Sequence, residues 1–170
     1  MAIEVIQGDI TKQQDIEAVV NAANAELAPG GGVAGAIHKA AGPELYQQAK
    51  QLAPIKPGQC VITPAFNLPN QYVIHCLGPR YGIDEPADEL LRQCYKEAIK
   101  LADQYKLSTI AFPALSTGAF GYPFREAAVI AWRAVQEALG SSEKIELARF
   151  VLFSSGDLET FRAITDSAVN

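Results

Sequence analysis

Three consecutive glycines, Gly30, Gly31 and Gly32, stand between an apolar strand ending at Asn21 and a helix that begins near Val33. Glycine loses more backbone entropy on folding than any other residue, so a run of three marks a place of positive φ or close approach. At a helix N-terminus, where N–H groups lack partners, the approaching group is an anion. A second glycine-bearing turn, Ser116, Thr117, Gly118, Ala119, Phe120 and Gly121, also joins a strand to a helix. Two such turns on one sheet converge N–H donors on neighbouring anionic groups, and a diphosphate has that shape.

Other readings of these residues are weaker. Gly30 to Gly35 matches G-x-G-x-x-G literally, but Asn21 to Pro29 separates it from the strand. The acidic residue expected about 20 positions on, at the end of a second strand, is also missing. No Gly-Lys-Ser/Thr follows, so a P-loop fails as well. Ser116 with His38 or His75 as base would make a serine hydrolase, but the Gly-x-Ser-x-Gly elbow is absent. His38, on a helix, and His75, in a strand, read as hydrogen-bonded structural residues. No His, Cys and carboxylate cluster has metal-ligand spacing, so neither a metal nor a cofactor is expected.

The elements that position these groups follow from patterning. Strands are expected at Ile3–Ile6, Ile16–Asn21, Gln59–Thr63, Gln71–Cys76, Thr109–Phe112 and Leu147–Phe153. The short link between the third and fourth implies antiparallel pairing. Helices are expected from Val33 to Ala41, stopped by Gly42 and Pro43, then over Glu44–Leu52, Ala87–Tyr105, from Pro123 to Leu139, and over Leu158–Ala168. In the third, Leu91, Cys94, Tyr95, Ala98, Leu101, Ala102 and Tyr105 fall on one face; in the fourth, Ala128, Ala131, Trp132, Val135 and Leu139 do. Strands alternating with helices indicate an α/β fold, a three-layer α/β/α sandwich with a central mixed, mostly parallel sheet. Ligands bind such sheets beyond the carboxyl ends of the strands. Gly8 and Asp9, the triple glycine, Ser116 to Gly121, and Phe153 all follow strands.

Bulk properties narrow the function. The 170 residues read as one domain over 1–170, without repeat or linker, and 49% are hydrophobic. The net charge of −5, with no run of Lys or Arg, disfavours a nucleic-acid groove. Backbone N–H groups can still hold an anion without net positive charge. No segment resembles a signal peptide or a membrane span, so a cytoplasmic protein is expected. Cys60, Cys76 and Cys94 are odd in number, widely spaced and flanked by apolar residues. They read as small buried hydrophobes, not as a disulfide or zinc framework.

Five blocks, Val5 to Thr11, Val19 to Asn24, Gly30 to His38, Tyr72 to Pro79 and Ile110 to Pro123, resemble in order and spacing the signature blocks of macro domains. The resemblance covers nearly the whole chain. It implies the macro domain fold and an ADP-ribose pocket, with ADP-ribose, ADP-ribosylated proteins or O-acetyl-ADP-ribose as partners; a monomer is expected. Asp9, followed by Ile10, matches the acid that selects adenine; from the residues alone it is equally a helix cap. Phe153 matches the aromatic that stacks on adenine, and is otherwise a core residue. Gly30, Gly31, Gly32 and Val33, together with Ser116, Thr117, Gly118, Ala119 and Phe120, match the loops around the diphosphate and distal ribose. Asn24 matches the residue contacting the distal ribose hydroxyls, and Asn21 is expected to tie the loop to neighbouring backbone.

Many hydrolytic relatives carry an acid directly after Gly-Gly-Gly-Val, where this chain has Ala34. The Gly-Gly-Gly-Val-Ala form resembles viral and archaeal-type macro domains, a subgroup that includes hydrolases. The implied mechanism uses Asn24, Gly32 and Phe120 as the catalytic set, positioning the distal ribose while a phosphate oxygen of the substrate activates water. The expected activity is hydrolysis of ADP-ribose esters, either mono-ADP-ribosyl Asp or Glu on proteins or O-acetyl-ADP-ribose. The alternatives are a non-catalytic reader of ADP-ribose and a phosphatase acting on ADP-ribose 1″-phosphate.

Overall fold

In the computed structural model, which describes residues 2–169, six strands form one sheet in the order β1-β6-β5-β2-β4-β3. The strands are β1 (Ala2–Gln7), β2 (Ala18–Ala22), β3 (Cys60–Pro64), β4 (Tyr72–Cys76), β5 (Thr109–Phe112) and β6 (Leu147–Leu152). All neighbours are parallel except β3, which pairs antiparallel with β4 at the sheet edge. The helices are α1 (Gly32–Ala41), α2 (Glu44–Ala49), α3 (Ala87–Gln104), α4 (Phe124–Gly140) and α5 (Ser155–Val169). Among the described residues no helix is long and apolar enough to cross a membrane.

Strand alternation builds the three layers. Ala18 and Val20 of β2, Ile74 and Cys76 of β4, Ile110 and Phe112 of β5, and Ala148, Phe150 and Leu152 of β6 point into one core. That core is filled by α3, α4 and α5, and it includes Leu91, Tyr95, Trp132 and Phe161. The intervening residues Val19, Val73, Ala111 and Val151 meet Ile37 and Ala41 of α1 and Leu45 of α2 on the other face. Both faces of the central strands are covered, as their near-continuous apolar runs require. Tyr105, expected on the buried face of α3, is exposed past its last turn and packs edge-on against Tyr72 at 5.2 Å.

Two local expectations change. The stretch after Glu44 is a six-residue α-helix followed by a 3-10 turn over Lys50–Leu52. The expectation of three unpaired cysteines is also corrected: Cys60 and Cys76 form a disulfide, and only Cys94 is free. The cause is register, which sets Cys60 directly opposite Cys76 on the antiparallel β3–β4 ladder with Cα atoms 4.3 Å apart. Spacing along the chain cannot reveal a cross-strand pair.

The topology also fixes where a crevice opens. After β2 the chain leaves toward β4 and β3, whereas after β5 it leaves toward β6. Neighbouring strands whose connections depart in opposite directions leave a gap beyond their carboxyl ends.

Candidate functional site

A crevice of about 680 Å³ opens at that place. Its walls follow the sheet order, from Asp9 and Ile10 after β1, through Phe153 after β6 and Ser116 to Phe120 after β5, to Asn24 and the glycine loop after β2. Four adjacent strands at the usual spacing span about 14 Å. Asp9, Ile10, Asn24, Gly30, Gly31, Gly32, Val33, Ser116, Thr117, Gly118, Ala119, Phe120 and Phe153 all line it. The crevice also includes Asp157 in the first turn of α5, and Leu152 and Ala114 at strand ends, which the sequence did not single out. Only their places at or just beyond the ends of β6 and β5 could have marked them.

The glycine loop is an anion seat by construction. Gly31 caps α1 without a side-chain hydrogen bond, and Gly35 is the first residue whose N–H finds an acceptor, the Gly31 carbonyl at 3.2 Å. Among the described residues, the preceding N–H groups therefore stand at the crevice end of α1 without partners. Of the three glycines, only Gly32 has positive φ, at 56°. The close approach falls instead at Gly35, where the Gly30 carbonyl oxygen occupies the space of a side chain. Gly31 has open space where a side chain would stand, and one at Gly30 would make only ordinary contact with Asn24 Nδ2 at 3.5 Å and Ala34 Cβ at 3.9 Å.

The turn after β5 is the second donor set. Among the described residues, the N–H groups of Thr117, Gly118, Ala119 and Phe120 have no acceptor. The turn is held from beneath by Tyr95, fully buried, whose Oη accepts from the Leu115 N–H at 3.0 Å and donates to the Pro113 carbonyl at 3.4 Å. No Lys or Arg lines the crevice, so any charge neutralisation there comes from the two donor sets.

The other predicted residues fall at the two ends. Asp9 is both cap and exposed carboxylate: its Oδ1 accepts from Thr11 N at 2.9 Å and Thr11 Oγ1 at 2.6 Å, leaving Oδ2 without a protein partner. Those two bonds hold its pKa below the usual carboxylate value. Phe153 is not a core residue; it is 88% exposed at the end of β6. At the far end, the Asn24 amide donates to the Ala28 carbonyl and accepts from the Ala28 N–H, both at 2.9 Å. One donor hydrogen of Asn24 remains. Ala34 lines the crevice with a methyl group.

Two expectations about polar groups are corrected. Asn21 does not tie the loop to backbone; it is buried and its Nδ2 donates to His75 Nδ1 at 3.1 Å. Register is again the reason, since Asn21 and His75 sit side by side on β2 and β4. His75 Nε2 in turn donates to Thr63 Oγ1 at 3.0 Å, whose own proton goes to the Pro64 carbonyl. This chain fixes one neutral tautomer, and burial, helped by His38, pushes the His75 pKa down to about 3. His38 is buried, but among the described residues neither of its ring nitrogens has a hydrogen-bond partner; the nearest aromatic rings, Tyr46 and His75, have centroids 6.4 Å away. Ser116 Oγ is likewise unpartnered, so no serine–histidine pair exists.

Comparison with known proteins agrees with this geometry. A family model described as Macro domain matches residues 20–131. A macro domain-containing protein of Caldanaerobacter subterraneus subsp. tengcongensis is 48% identical over 165 residues, covering 94% of this chain and 93% of that protein. A protein of Salmonella newport named O-acetyl-ADP-ribose deacetylase is 45% identical, covering 94% and 90%. Among solved structures, a substituted macrodomain of Oceanobacillus iheyensis with ADPR superposes with a TM-score of 0.94 at 38% identity, covering 98% of this chain and 93% of that one.

Proposed function

From the premise that the chain belongs to the macro domain family, we propose that its crevice binds ADP-ribose and hydrolyses ADP-ribose esters. The observation that carries this reading is the pairing of two unpartnered N–H sets, after β2 and after β5, between an aromatic and acidic end and an asparagine end. A diphosphate bridges the two donor sets. Adenine then lies at Phe153 and Asp9, where a free carboxylate oxygen accepts from an exocyclic amine that guanine does not present at that position. The distal ribose lies at Asn24, Gly32 and Phe120. Relatives named for O-acetyl-ADP-ribose deacetylation support the hydrolytic reading.

The two acids lining the crevice, Asp9 and Asp157, follow β1 and β6 at the adenine end, and Ala34 brings no carboxylate to the other. The water that attacks the anomeric carbon therefore gives its proton to a diphosphate oxygen of the substrate. The bond from that carbon to the ester oxygen breaks, and the carboxylate leaves with the electron pair. Positioning and the fixed N–H dipoles supply the acceleration. The substrates are mono-ADP-ribosyl Asp or Glu on proteins, O-acetyl-ADP-ribose, or both. Ala34 also favours a second reading, a reader that binds ADP-ribose without turnover. Calorimetric titration with ADP-ribose, AMP and GDP-ribose tests the first half of the proposal. Tight binding of ADP-ribose over GDP-ribose is expected, and no binding of ADP-ribose would refute it.

A further inference from the structure

Ser116 sits in the turn after β5 with φ of 67°, a left-handed conformation that L side chains rarely adopt. It is buried, and its Oγ makes no hydrogen bond. The oxygen is directed at the backbone of Gly78, two residues past β4. A side chain built on Gly78 would collide with Ser116 Oγ, and would lie 3.4 Å from Ser116 Cβ and 3.6 Å from Ser116 N. The φ of Gly78 is outside the left-handed region, so glycine is required there by space and not by conformation.

Both sides of this contact are pinned. The Leu77 carbonyl accepts from Gly58 N at 2.8 Å and from Cys94 Sγ at 3.1 Å. Beyond it, the Tyr81 N–H donates to the Phe120 carbonyl at 2.8 Å, and Tyr95 holds Leu115. An added methyl at position 78 therefore presses on Ser116 and cannot simply part the two segments.

We propose that Gly78 is a positioning residue for the anion-facing turn: the space it leaves lets Ser116 hold the conformation that offers the N–H groups of Thr117 to Phe120 to the crevice. Gly78 does not itself line the crevice and acts through Ser116. The inference rests on the reading of the crevice as an ADP-ribose site.

The test is a double-substitution cycle read by calorimetry with ADP-ribose and AMP. Gly78→Ala is expected to weaken ADP-ribose binding about tenfold or more, and AMP binding less than about threefold, since AMP reaches the turn through one phosphate only. In a Ser116→Ala background, where a methyl at position 78 makes only ordinary contacts with Cβ and N of residue 116, the same Gly78→Ala change should alter ADP-ribose affinity less than about threefold. An unchanged affinity in Gly78→Ala would show that the serine rotates freely and would overturn the proposal. So would equal losses in both backgrounds, or equal losses for both ligands. If Gly78→Ala fails to fold while the double variant folds and binds, the contact is supported; if the double variant also fails to fold, it is refuted. A parent protein that binds AMP but not ADP-ribose would remove the functional reading itself, whereas a silent Gly78→Ala in a binding parent removes only this inference.

Discussion

Replacing Phe153 by alanine separates ligand binding from stability more cleanly than any other change in the crevice. The ring is 88% exposed, so its removal gives up almost none of the apolar burial that stabilises the fold. Phe150, three residues earlier within β6 and fully buried, shows the contrast: its truncation to alanine should cost about 3–5 kcal/mol. If Phe153 stacks on adenine, its loss removes about 1–3 kcal/mol of base–aromatic interaction. That corresponds to roughly 5- to 150-fold weaker binding of ADP-ribose. The expected pattern is a large drop in affinity for both ADP-ribose and AMP by calorimetry, with a melting temperature within about 1 °C of the parent. Phe153→Tyr should keep most of the affinity. Unchanged AMP affinity in Phe153→Ala would refute the placement of adenine at the β6 end. A substantial fall in melting temperature would show that the ring supports the fold after all.

Asp9→Ala should weaken ADP-ribose binding by about 1–3 kcal/mol and narrow its preference over GDP-ribose; a preference left intact would mean that Asp9 is only the cap of the turn at Ile10. Asn24→Ala should reduce release of ADP-ribose from an ester-linked substrate much more than it reduces binding, and equal losses by mass spectrometry and calorimetry would contradict its place at the distal ribose. Arg149 is buried and joins Glu4 at 2.8 Å to Asp15, held bidentately at 2.7 Å; because both acids are substantially exposed, Arg149→Met should cost only about 2–3 kcal/mol in denaturant unfolding, and a silent substitution would rule the network out as a support of β1. His75 has a folded pKa of about 3 against 6.5 in the unfolded chain, so its contribution is complete above pH 6.5 and is lost as pH falls toward 3. Unfolding free energy should therefore drop by as much as about 1.4 kcal/mol per pH unit in that window, and His75→Gln, compared over the same range, should flatten the slope.

Much of this molecule was legible because its local signals agree with its global fold. The unbroken apolar runs Ala18, Val19 and Val20, and Ile110, Ala111 and Phe112, lead directly to a sheet covered on both faces. Every crevice residue named from the sequence lies in a connection that follows a strand, where an α/β sheet places its ligands. What the sequence did not yield depends on register and on side-chain aim. Cys60 meets Cys76, and Asn21 meets His75, only because β4 lies between β3 and β2. The partnerless ring of His38, the Asn24–Ala28 clamp and the contact of Ser116 with Gly78 are equally invisible to composition or spacing. The triple glycine illustrates both sides. Its run marked the anion seat, yet glycine is required at Gly32 by its positive φ and, beyond the run, at Gly35 by close contact with the Gly30 carbonyl.

Hydrolysis in the crevice is tested most directly by release of ADP-ribose from a peptide carrying it in ester linkage to glutamate, followed by mass spectrometry at substrate well above enzyme. The crevice geometry predicts many turnovers per enzyme, despite Ala34, with free peptide and ADP-ribose formed in equal amounts. ADP-ribose bound tightly by calorimetry, with release no faster than in the enzyme-free control, would contradict the hydrolase and leave a reader.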